Sequence, residues 1–158
     1  MKNSLMRGFS FGLTSGIITT LGLMVGLYFG THYWWVVLGG VLSIAIADAC
    51  SDSLGIYVSE KASGNLSAKS LWRVTVITFF AKFIFALTFA IPILLFPLKI
   101  AILVCVLWGT LLMGVFSVYL ARLQKRDVVR MVLEHIVIMI IVLIITSSVG
   151  FWISKNFV

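Results

Sequence analysis

Between Arg7 and Asp48 the chain runs for 40 residues without a charged side chain, counting His32 as neutral. As one helix rising about 1.5 Å per residue, that stretch would be about 60 Å long, twice the thickness of a bilayer's hydrocarbon core. It is therefore read as two membrane spans joined by a turn. Composition agrees. Of 158 residues, 61% are hydrophobic and 11% charged, and a mean hydropathy of +1.17 lies far outside the soluble globular range.

The first span is read as 9–30. The turn Thr31-His32-Tyr33-Trp34-Trp35 then carries aromatics that favour the membrane interface, His32 among them, before a second span at 35–58. A polar segment from Ser59 to Arg73, with Gly64-Asn65 and a helix N-cap at Ser67, precedes a third span at 74–96. Pro92 is expected to kink that helix and Pro97 to start the fourth, at 98–120; the fifth is 131–153. The fold class is an all-α integral membrane protein with about five transmembrane helices in a single domain spanning 1–158.

Lys2, Arg7, Lys61, Lys69, Arg73, Arg122, Lys125, Arg126 and Arg130 fall on one side of these spans, and only Lys99 and Lys155 on the other. Basic loops stay inside, so the N-terminus is placed in the cytoplasm and the C-terminus outside. The net charge of +7 is then a topological signal rather than a nucleic-acid-binding face, and no nucleic acid is expected as a partner. Cys50 and Cys105 lie within spans and form no disulfide framework. Short loops without a targeting signal point to a prokaryotic cytoplasmic membrane.

Small residues recur every four positions in the first two spans. Gly8, Gly12 and Gly16 form one row, Gly22, Gly26 and Gly30 a second, and Ser43, Ala47, Ser51, Gly55 and Ser59 a third. Such rows let helix backbones approach closely. They predict tight packing of the first two helices, within a protomer or across a homodimer built on the glycine-rich first span.

Ionisable residues inside a bilayer are costly and mark function by default. Asp48 and Asp52, four apart, share one helical face near mid-membrane, where each carboxylate would cost about 2.5 to 3.5 kcal/mol if it faced lipid. Lys82, in the third span, is the natural counter-charge for one of them, although a lysine stem can also snorkel to the interface. Ser15 and Thr19 supply hydroxyl oxygen from the first span; Thr14 does so too, though Ser and Thr commonly bond back to their own helix. Glu134 and His135 open the fifth span, where they suit an ion entrance or a proton acceptor, or simply reach water. Met24, Met113 and Met139 offer sulfur, but methionine in an apolar helix usually packs.

The stretch Phe11-Gly12-Leu13-Thr14-Ser15-Gly16-Ile17-Ile18-Thr19-Thr20-Leu21 resembles the first-span signature of the vacuolar iron transporter family. Ala47 to Ser59 resembles that family's second-span segment containing Ser-Met and then Gly-Glu-Tyr-Val-Ser, Ile91 to Pro97 resembles the proline-containing end of its third span, and Ala121-Arg122 its link into the fifth. The resemblance implies a five-helix, dimeric carrier that moves ferrous iron or manganese out of the cytoplasm in exchange for protons. The chain departs from the pattern at three places: Ser15 stands where the family has Asp, Asp52 where it has Met, and Ile56 where it has Glu. The 15 residues from Ser59 to Arg73 also cannot form the cytoplasmic metal-loading domain of longer members, so the chain resembles the short ones.

These readings converge on a divalent metal carrier. Asp48, Asp52, Ser15 and Thr19 bind the ion, Lys82 is a displaceable counter-charge, and Glu134 and His135 serve entry or proton coupling. Hard oxygen ligands suit manganese, magnesium, calcium or ferrous iron. No permanently bound cofactor is expected. The competing reading is a non-transporting scaffold or regulatory protein with Asp/Lys structural ion pairs. No metal-ligand His cluster, nucleophile elbow or phosphate-binding glycine loop argues for an enzyme.

Overall fold

The structure, a computed structural model, describes residues 2–64 and 66–157. It is all-helical: α1 (Lys2–Thr31), α2 (Trp34–Ser63), α3 (Ala68–Thr88), α4 (Ala90–Leu95), α5 (Leu98–Gln124) and α6 (Val128–Phe157). Among the described residues, five stretches are long and apolar enough to cross a membrane, with α3 and α4 together forming the third, Ala68–Leu95. The protein is therefore a multi-pass membrane protein whose outer surface contacts lipid.

The helices of the first, second, fourth and fifth spans reach beyond the apolar cores read from the sequence. A helix of 30 residues, such as α2, is about 45 Å long and so reaches through the headgroup layer as well as the hydrocarbon. Backbone amides need partners at every depth of the membrane, and continuing the helix supplies them. The turns are correspondingly short and have local causes. His32 and Lys125 take left-handed backbone conformations (φ 57° and 52°) that end α1 and α5, and Gly64 does the same after α2. Ser67 caps α3 by accepting the Ser70 amide, as its position predicted. Asp127 accepts the Arg130 amide at 2.7 Å at the start of α6. Asn65, expected in the turn before α3, lies outside the described residues.

Where Pro92 was expected to kink the third span, the helix is interrupted at Phe89, between α3 and α4. Proline removes one backbone donor, and its ring collides with the carbonyl four residues back, here Thr88. Phe89 instead bonds its amide to Ala86. Pro97 immediately precedes α5.

Helix α1 is the hub, packing on α2, α3, α5 and α6, and it is the most buried of the five spans, whereas α6 is the least. The core around it includes Leu13, Ile17, Leu21, Met24, Val37, Val41, Cys105, Met113 and Met139. The three methionines are thus packing residues.

The small-residue rows find different partners from those their spacing predicts. A Cβ added at Gly12 would lie 2.6 Å from the Thr78 carbonyl oxygen, and one at Gly16 3.1 Å from Lys82, so the first row lets α1 approach α3. At Gly22 the added atom would meet Val142, and at Gly26 the Thr146 backbone; the second row lets α1 approach α6, where Gly150 crosses Gly26 backbone to backbone. The glycine rows of the first span are therefore occupied within the chain and are not free to form a dimer. The third row, on α2, also misses α1. Ser43, Ala47, Ser51, Gly55 and Ser59 are all exposed, while Val37, Val41, Ala45, Ala49 and Ser53 form the buried face.

Candidate functional site

Helices α1 and α2 run antiparallel, and α3 packs on both, so their midpoints meet in one layer. Asp48 lies halfway along α2, and Lys82 halfway along the span Ala68–Leu95. Lys82 is 1% exposed and points inward, so it does not snorkel.

The lysine ammonium serves both aspartates. Its Nζ lies 2.5 Å from Asp48 Oδ2, and it also forms an ion pair with Asp52 Oδ2. It donates to the Ser15 hydroxyl at 2.8 Å. Ser15 passes the interaction on by donating to Asp52 Oδ2 at 2.7 Å. The Thr19 hydroxyl lies 2.8 Å from Asp48 Oδ2 and 2.9 Å from the Ser15 carbonyl. All four groups expected to bind a cation are thus brought together, with Lys82 at their centre. The close approach permitted by Gly12 and Gly16 holds α3 near enough for the lysine stem to cross to the α2 carboxylates.

Formal charge does not cancel here, because one ammonium faces two carboxylates. Nor is the site sealed. The aspartate side chains keep 25% and 21% of their surface exposed, against 2% for Lys82. A partly open carboxylate pair at mid-membrane must face protein, water or a cation.

Glu134 and His135 lie elsewhere. Glu134 points outward from α6 with its side chain 56% exposed and accepts from Arg130 at 2.9 Å. His135 Nδ1 lies 2.7 Å from the Ser117 hydroxyl on α5, and the ring borders a crevice of about 700 Å³ lined also by Arg7, Ser10, Thr14 and Gln124. Neither residue touches the aspartates. Thr14 bonds back to the Ser10 carbonyl of its own helix, and His32 packs against Tyr28 in the interfacial turn.

One charged contact was not anticipated. Glu60, assigned by sequence to a polar connection, lies inside α2 and is buried, and Arg7 reaches it at 2.9 Å. The signal was the spacing: Asp48, Asp52, Ile56 and Glu60 are each four apart, as are Arg7, Phe11, Ser15 and Thr19. Among the described residues, no group of three or more His, Cys, Asp or Glu side chains is placed to hold a metal ion. Any cation held at Asp48 and Asp52 therefore also relies on hydroxyl, backbone or water oxygen. Compared with models of known protein families, with curated proteins and with solved structures, the chain matches none.

Proposed function

We propose that the protein is a carrier for a divalent cation, bound at mid-membrane by Asp48 and Asp52 with help from Ser15 and Thr19. The observation that carries this reading is the position of the Lys82 ammonium. A tethered cation sits among two carboxylate oxygens and a hydroxyl, which is a ligand set that hard divalent ions prefer. Lys82 acts as the resident counter-charge and yields to the transported ion. The resemblance of Phe11 to Leu21 and of Ala47 to Ser59 to the vacuolar iron transporter family narrows the ion to ferrous iron or manganese, moved out of a prokaryotic cytoplasm in exchange for protons. No cofactor or catalysed reaction belongs to this reading.

The partner we assign is a second copy, docked on α2 rather than on α1. The exposed row Ser43, Ala47, Ser51 and Gly55 permits close helix approach. The partly exposed aspartates flank the same row, and a second α2 would cover them. The lipid-facing side of α6, by contrast, carries Ile138, Ile141, Ile144, Ile145 and Val149.

The test is manganese and ferrous iron flux into proteoliposomes, followed with an internal pH dye, for the wild type and for Asp48→Asn with Asp52→Asn. Carboxylate-dependent flux accompanied by counter-movement of protons is expected. A folded wild type that moves neither metal under any pH gradient would overturn the carrier. That outcome would favour the scaffold reading, whose support is that Lys82 has acceptors on Asp48, Asp52 and Ser15, as a purely structural ion-pair cluster requires.

A further inference from the structure

Among the described residues, the contacts that tie α1 to α2 include three that share one antiparallel register. Thr19 meets Asp48 and Ser15 meets Asp52. Eight residues back along α1 from Ser15 is Arg7, eight residues on along α2 from Asp52 is Glu60, and these two also meet. The same register puts Phe11 opposite Ile56 between them. The seam thus reads, from mid-membrane towards the basic end of the bundle, as two polar rungs, one apolar rung and one ion pair, with Glu60 about 12 Å from Asp52 along the helix.

The ion pair is unequal. The Glu60 side chain is 9% exposed, whereas that of Arg7 is 65% exposed. Arginine can therefore leave without losing much solvation, but Glu60 would be left as a buried carboxylate without a cation, which is strongly unfavourable. A departing Arg7 has somewhere to go, because it also borders the crevice between α1, α5 and α6, beside Ser10 and Gln124. The Ser10 hydroxyl is buried there and has no hydrogen-bond partner among the described residues.

We infer that Glu60 is a second cation-binding carboxylate and that Arg7 is its removable plug. The pair closes the basic end of the α1/α2 seam, and a divalent cation opens it by taking Glu60 while Arg7 swings into the crevice. The inference rests on the reading of this seam as the cation's route to Asp52 and Asp48. It differs from a structural clamp in one respect: a clamp has no reason to respond to a cation.

The experiment places a reporter cysteine at the apolar rung, Ile56→Cys with Cys50→Ser, in full-length purified protein. The rate of labelling by a hydrophilic maleimide is measured by mass spectrometry with and without manganese. Manganese should speed labelling severalfold in this parent. Arg7→Gln should label fast without manganese, and Glu60→Gln should label fast and ignore it. The double exchange Arg7→Glu with Glu60→Arg should return labelling to the slow rate, which separates a gate from a misfolded variant. Labelling rates that do not change with Arg7→Gln and Glu60→Gln, or a manganese response that survives Glu60→Gln, would overturn the inference. Flux measured on the same proteins distinguishes the two readings. If manganese still opens the reporter position but flux ignores Asp48 and Asp52, the carrier fails and the gate stands; if aspartate-dependent flux persists while labelling ignores Arg7 and Glu60, the gate alone fails.

Discussion

The Ser15 hydroxyl accepts from Lys82 at 2.8 Å and donates to Asp52 at 2.7 Å, so one small side chain on α1 joins the cation of α3 to a carboxylate of α2. Three helices are thereby fastened at mid-membrane by groups that each carry charge or a dipole. What distinguishes a transport site from a permanent fastening is whether the central ammonium can be replaced.

Lys82→Met tests that replacement directly. Removing the lysine leaves two carboxylates without a cation in the bundle interior, and a loss of about 3 to 5 kcal/mol is expected from breaking a buried pair of this kind. Under the carrier reading, manganese then fills the gap, so millimolar manganese should restore the thermal midpoint of Lys82→Met in detergent. The triple variant Lys82→Met, Asp48→Asn, Asp52→Asn should be more stable than Lys82→Met and should not respond to manganese. A Lys82→Met protein that stays destabilised at every manganese concentration would favour structural ion pairs.

Glycine positions separate packing within the chain from packing between chains. Gly12→Ala would bring a methyl group to 2.6 Å from the Thr78 backbone oxygen, which cannot move aside as a flexible side chain would. A destabilisation of about 1 to 3 kcal/mol is expected. Gly55→Ala meets nothing within 4 Å inside the chain and should leave the single chain's fold as stable as the wild type, its effect falling only on the α2 face assigned to a second copy. Thermal unfolding followed by fluorescence, with each variant checked for monodispersity, decides the comparison; equal effects at the two positions would contradict the packing described above.

How much of this was legible in the sequence follows from the same residues. The spans were readable because an uncharged run of 40 residues permits few alternatives. Helix ends were less readable, since helices continue into the headgroup layer, where charged residues such as Glu60 and Arg130 are tolerated. The cluster of Asp48, Asp52, Lys82, Ser15 and Thr19 could be anticipated because charge at mid-membrane requires partners. Which helix faces which could not. A four-residue period says that a face is narrow, but the partners of Gly12 and Gly26 depend on the order of the four helices packed around α1, and the sequence of α1 does not encode that order. The Arg7–Glu60 contact became visible only once the antiparallel register of α1 and α2 was known.

Cysteine cross-linking tests the face assigned to a second copy. In a Cys50→Ser background, Ala47→Cys should form a disulfide-linked dimer in native membranes under mild oxidation, because Ala47 lies in the exposed small-residue row of α2. Ile144→Cys, exposed on α6, should remain monomeric under the same treatment. Efficient cross-linking at 144 without cross-linking at 47 would move the interface to α6.

Ser15→Asp provides the sharpest test of how the site selects its ion. In this structure an Asp carboxylate at position 15 would enter a cluster that already holds Asp52 and Lys82. The variant adds an oxygen ligand and a formal negative charge beside a single ammonium, so a divalent ion should compete better with Lys82. Affinity for manganese, measured by calorimetry or by the manganese paramagnetic signal, should rise, since charge count and ligand number both tune hard-ion sites. Without a divalent ion, the same change crowds three carboxylates around one lysine and should lower the thermal midpoint. Tighter binding together with lower metal-free stability is the expected signature. A variant that loses stability without gaining manganese affinity would show that the cluster holds its lysine permanently, and the scaffold reading would then be preferred.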